Sequence, residues 1–167
     1  PGRFLLNGCM VTSGALVKRV ASFELEAAFV AEPFLANGLE MQHAFSEELV
    51  MIAPKSARAV RSPKDIGRCT VIGFAAGCSY RRRLEEWLGA ESVVADRVME
   101  LGSYHALVAC VAAGAGIAIV PRSVLKLVGA QKQVVVSALP AAVSQANTML
   151  VWRRGHRSIA LEALRRL

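Results

Sequence analysis

The chain has 167 residues, 54% hydrophobic and 20% charged, which suits a folded globular protein with a sizeable core and excludes a disordered one. Its formal net charge is +7, and two stretches carry about the whole excess: residues 55–68 and residues 153–167 each hold five cations against one anion. Neither stretch has interleaved aromatics or a zinc-finger pattern, so the charge reads as solvated basic faces and does not define a nucleic-acid groove.

The start, "PGRFLLNGCM", lacks a basic leader joined to a long apolar core, so no signal peptide is expected and a cytoplasmic location is the default. Leu16, Val20 and Phe23 recur at helical spacing and predict an amphipathic helix from Ser13 to about Ser22. "LEAAFV" (25–30) and "EELVMIAP" (47–54) suit buried strands, the second stopped by Pro54. The basic stretch 55–68, with Pro63, reads as a linker or exposed loop.

"CTVIGF" (69–74) is a third buried strand, followed by "AAGCSYRRRLEEWLG". Tyr80, Leu84, Trp87 and Leu88 share one helical face; Ser79 is the expected N-cap and Gly89 the stop. Arg81/Glu85 and Arg82/Glu86 stand at i, i+4 on the outer face. A further helix runs from Ser103, its cap, to Ala113, burying Leu107, Val108 and Val111. "ALVACVAAGAGIAIV" is broken by glycines and falls short of the roughly 20 residues of a membrane span, so no transmembrane segment is expected. Gly114 and Gly116 supply a helix cap and a tight turn, and Pro121 can start a helix over "PRSVLKLV". "QVVVSAL" and "NTMLVWRR" are strands, and "RSIALEALRRL" closes the chain as a helix. Strands alternating with helices predict an α/β protein with largely parallel sheets.

Cys78 precedes a helix with three arginines behind it, where a lowered thiol pKa and a nucleophile are one reading. A base would have to be His105 or His43, and neither sits in a motif that positions it. The same backbone can instead receive a carboxylate or phosphate without chemistry, or simply form a turn that packs a small thiol. The four cysteines lack a CxxC pattern and lie far from the histidines in sequence, so reduced thiols are expected, with no metal site and no cofactor. "AAGAGIAIV" is not a dinucleotide fingerprint, because the helix precedes its glycines and the strand follows them.

Taken in order, "SFELEAAFV", "FSEELVMIAP", "SPKDI", "FAAGCSYRRRLEEWL" and above all "SYHALVACVAAGAGIAIVPRSVL" resemble the effector-binding domain of LysR-type transcriptional regulators. Phe23 stands at a usual glycine position of that family and Glu26 at a usual aspartate. The resemblance implies a type II periplasmic-binding-protein-like α/β fold of two lobes joined by two hinge-crossing strands, "ELVMIAP" and "TMLVWRR". Lobe I would comprise residues 1–53 and 148–167, without the family's first strand and helix, and lobe II residues 54–147. Carried over, the effector site would be lined by Gly77, Cys78, Ser79, Gly102 and Ser103 from lobe II, and by Val30, Ala31 and Glu32 from lobe I. The implied function is sensing of a small, anionic effector in the inter-lobe cleft by a homodimer or homotetramer. DNA is then contacted only through a winged helix-turn-helix domain that this sequence does not contain, and no membrane is involved. A solute-binding protein of a transporter and a cysteine-dependent enzyme are the alternatives.

Overall fold

The helix expected at Ser13 is α1, Ser13–Ala21, and Thr12 caps it by accepting a hydrogen bond from the Ala15 N–H. The structure is a computed structural model and describes residues 12–166. After α1 come β1 (Ala27–Ala31) and β2 (Leu39–Pro54), then a single 3-10 turn at Pro63–Asp65. The middle of the chain forms β3 (Thr70–Gly73), α2 (Ser79–Gly89), β4 (Arg97–Glu100), α3 (Tyr104–Ala112), β5 (Ala118–Pro121) and α4 (Arg122–Val128). It ends with β6 (Val134–Ala138), α5 (Ala141–Ser144), β7 (Gln145–Arg153) and α6 (Ile159–Leu164). The chain packs as two compact units, one formed by residues up to 46 with those from 147 onward, the other by residues 47–146. Strands β2 and β7 each run from one unit into the other.

In the first unit β1 pairs antiparallel with β7, from Ala27 opposite Trp152 to Ala31 opposite Thr148. The ladder is covered on both faces. Val30 and Val151 pack with Val20 of α1 and with Leu39, whereas Leu150 and Trp152 pack with Leu161 of α6. Phe23 takes a left-handed φ of 68°, the conformation in which a glycine is ordinarily used. Arg153 holds this turn: its Nη1 donates to the carbonyls of Val20 (2.8 Å) and Leu25 (2.7 Å), and its guanidinium lies 4.3 Å from the Phe23 ring centroid.

In the second unit β5 and β6 both pair antiparallel with β2, so the expectation of largely parallel sheets is corrected. β3 pairs parallel with β4, and a parallel bridge joins Val71 and Ile117. The apolar run in β2 is uninterrupted because both faces are buried: Leu49, Met51 and Ala53 belong to one cluster, Val50 and Ile52 to another. α2 closes the first cluster with Leu84 and Leu88, and α3 closes the second with Leu107, Val108 and Val111.

Two strand segments lie largely outside the strands predicted from the sequence. The first half of β2, from Leu39 to Glu48, is mostly exposed, and all four residues of β4 are exposed. Gly114 ends α3 at φ +92°, and Gly116 passes against the Thr70 backbone, where a side chain has no room.

Candidate functional site

β3 delivers the chain to a turn at residues 74–78, where Cys78 N–H donates to the Ala75 carbonyl at 3.2 Å. Gly77 sits in this turn with φ +92°, a conformation that favours glycine over any residue with a Cβ. The N-cap of α2 is then Cys78, not Ser79, and its side chain makes no capping bond. Ser79 is the first helical residue and only 6% exposed, and its hydroxyl has no hydrogen-bond partner among the described residues. The helix therefore begins with unbonded backbone N–H groups, a serine whose hydroxyl makes no hydrogen bond, and no acidic side chain in its first turn. Such an end carries a partial positive charge and accepts an anion.

The three arginines divide. Arg82 pairs with Glu86 at 3.1 Å in solvent, as the spacing predicts. Arg81 pairs with Glu85 at 2.7 Å, but its side chain is only 15% exposed and also reaches Glu100 (2.6 Å) and the Phe74 carbonyl (3.2 Å). Arg83 turns to the carbonyls of Ala142 and Val143. Their charges are thus drawn to neighbours along and beside α2.

At the start of α3, Ser103 caps as expected, its Oγ accepting from the Ala106 N–H at 3.2 Å. Gly102 and Ser103 are both exposed, and a Cβ at Gly102 would meet nothing within 4 Å. The two helix starts are connected through rings: Tyr104, the first residue of α3, meets Phe74 edge to face at a centroid distance of 4.8 Å.

Three residues outside the predicted site set form a hydrogen-bonded group beside this helix start. Tyr80 Oη donates to Glu47 Oε2 at 2.7 Å, and Ser123 Oγ donates to Glu47 Oε1 at 3.2 Å. Burial, then the bond to Glu47, pushes the Tyr80 phenol up, and burial, then the nearby Cys78 and Glu47, pushes Tyr104 up. Both phenols stay protonated, and that of Tyr80 serves as a donor. Sequence periodicity assigns Tyr80 to the packing face of α2, and nothing in the pattern marks its hydroxyl as Glu47's partner.

The other unit holds Val30, Ala31 and Glu32. Val30 is fully buried in the core beneath α1. The Ala31 carbonyl accepts from Ser13 Oγ at 2.9 Å. The Glu32 carboxylate accepts from Asn147 Nδ2 at 3.2 Å, within a chain that continues from Asn147 Oδ1 to Ser46 Oγ (2.8 Å) and His43 Nε2 (2.9 Å).

Cys69, Cys78 and Cys110 are free and half-buried, and Cys9 lies outside the described residues. Among the described residues no cluster of three or more His, Cys, Asp or Glu could hold a metal, and no helix is long and apolar enough to cross a membrane.

This fold, a mixed α/β architecture with two strands passing between two units, defines the periplasmic-binding-protein-like class. Residues 9–167 match the family model described as the LysR substrate binding domain, and the chain belongs to that family, whose role is ligand sensing by a regulatory domain. It is 31% identical over 138 residues to the HTH-type transcriptional regulator YofA of Bacillus velezensis, covering 83% of this chain and 47% of the relative. It is 33% identical over 139 residues to the HTH-type transcriptional regulator YusT of Bacillus subtilis, covering 83% of this chain and 46% of the relative. The chain thus spans about half the length of these relatives. Its fold superposes on the regulatory domain of MetR, a LysR family regulator from N. meningitidis, with a TM-score of 0.74, 20% identity, and coverage of 90% of this chain and 74% of that one.

Proposed function

We propose that this chain is the effector-sensing part of a cytoplasmic transcription regulator and that it binds a small anionic metabolite at the start of α2. The supporting observation is the combination found there: an 11-residue helix with no side-chain cap, and a mostly buried Ser79 whose hydroxyl makes no hydrogen bond, beside free N–H groups. A structural cap would consume those donors. An anion satisfies them together.

DNA is contacted through a helix-turn-helix domain outside this chain, in a homodimer or homotetramer, and no bond of the effector is made or broken. The effector acts by binding one arrangement of the assembly better than another, since equal affinity would shift nothing. Calorimetric titration of the full-length protein with small carboxylates, phosphate and sulfate tests the site. Ser79→Ala should weaken the binding of whichever anion binds by about tenfold, the scale of one hydrogen bond to a charge. Unchanged affinity in that variant overturns the assignment.

A further inference from the structure

Glu47 begins the part of β2 that belongs to the second unit, and its half-buried carboxylate is held by two neutral hydroxyls, those of Tyr80 and Ser123. The guanidinium next to Ser123 in sequence, Arg122, is committed to Glu48, with Nε at 2.6 Å and Nη2 at 2.8 Å from its two oxygens. Among the described residues no cation pairs with Glu47. A carboxylate has about four acceptor sites, so two hydroxyl donors leave it a capacity for further donors.

That carboxylate is tied to the first turn of α2 through a single side chain. Tyr80 links the two, because its backbone is the second residue of the helix and its hydroxyl is on Glu47. The path from the α2 backbone to Glu47 is thus one tyrosine side chain followed by a 2.7 Å hydrogen bond. The paired rings of Phe74 and Tyr104 stand at the start of the neighbouring helix, and aromatic faces also attract cations.

We propose that the effector is a zwitterion: a carboxylic acid that carries a primary amine several bonds away. Its carboxylate meets the N–H groups and Ser79 hydroxyl at the start of α2, and its ammonium donates to Glu47. This rests on the anion site proposed above and adds the second charge. Neither a plain acid nor a plain amine satisfies both ends. No covalent step is involved.

Three probes of equal chain length test it on the full-length protein by calorimetry: 5-aminopentanoate, pentanoate and pentylamine. The unsubstituted protein should bind 5-aminopentanoate at least tenfold tighter than either of the others, the scale of a charge-assisted hydrogen bond. Glu47→Gln should erase the preference over pentanoate and leave pentanoate affinity unchanged, whereas Ser79→Ala should weaken both acids. If pentanoate binds as tightly as 5-aminopentanoate, or if the preference survives Glu47→Gln, the zwitterion is wrong while the anion site stands. If neither acid binds, the zwitterion falls, and the titrations with phosphate and sulfate decide the anion site. The comparison on the unsubstituted protein decides the matter even where Glu47→Gln does not fold.

Discussion

Gly116 lies directly against the backbone carbonyl of Thr70, so closely that a Cβ would collide with the carbonyl oxygen. The close approach lets Ile117 N–H reach Thr70 O at 2.9 Å and Ile72 N–H reach Ile117 O at 2.8 Å, which attach β3 to the chain leading into β5. β3 in turn sets the position of the Gly77 turn and the start of α2. Gly116→Ala should therefore destabilise the protein by about 1–3 kcal/mol, the range for overpacking against a rigid neighbour. Urea unfolding of the two proteins measures it, and equal midpoints would mean that this approach is not constraining.

Ser79 and Ser103 separate stability from binding. Ser103 Oγ satisfies the Ala106 N–H, so Ser103→Ala should cost about 1 kcal/mol as a lost N-cap. Ser79 has no such bond to lose, and Ser79→Ala should change stability by less than about 0.5 kcal/mol while weakening anion binding. Denaturation and calorimetry on both variants give the comparison; a destabilised Ser79→Ala would assign that hydroxyl a structural task.

Arg81 ties three elements together through Glu85 on its own helix, Glu100 at the end of β4 and the Phe74 carbonyl beyond β3. Its pKa is raised, mainly by the bond to Glu85, so the charge is fixed across the accessible pH range. Arg81→Met keeps the aliphatic stem and removes the fork, and should cost about 1–3 kcal/mol in thermal or urea unfolding. Arg82→Met, which loses only the exposed pair with Glu86, should stay within about 0.5 kcal/mol.

Asp65 supplies a pH dependence. Its carboxylate accepts from the Arg61 N–H (2.8 Å) and Ser62 N–H (3.0 Å), and these bonds, Arg61 first, lower its pKa below the ordinary 3.8. A lowered carboxylate contributes stability that is present above the unfolded value and lost as pH falls through the folded one. Asp65→Asn should therefore be less stable than the unsubstituted protein near neutrality. The gap should close below about pH 4. A gap independent of pH would mean that the carboxylate's charge is not what holds the 3-10 turn.

Several elements were legible from residue pattern alone because burial writes itself into spacing. α1, α3 and the buried half of β2 follow from apolar periodicity, and the expected cap at Ser103 satisfies an orphan N–H group in the ordinary way. The exposed half of β2 and all of β4 left no such trace. The cap of α2 was displaced by one residue: Ser79 has the preferred chemistry, but the Gly77 turn ends with Cys78 in the extended conformation, so the serine enters the helix.

The order of residues by itself determined the helices, the buried strands, the glycine turns and, through the run from Ser103 to Leu125, the family. These depend on local backbone preference and on which side chains avoid water. Tertiary structure alone decided strand direction, the partners of Arg81 and the meeting of Glu47 with Tyr80 and Ser123. An apolar strand reads the same in a parallel or an antiparallel ladder, and a hydroxyl 33 residues from a carboxylate carries no mark of it until packing removes the water between them.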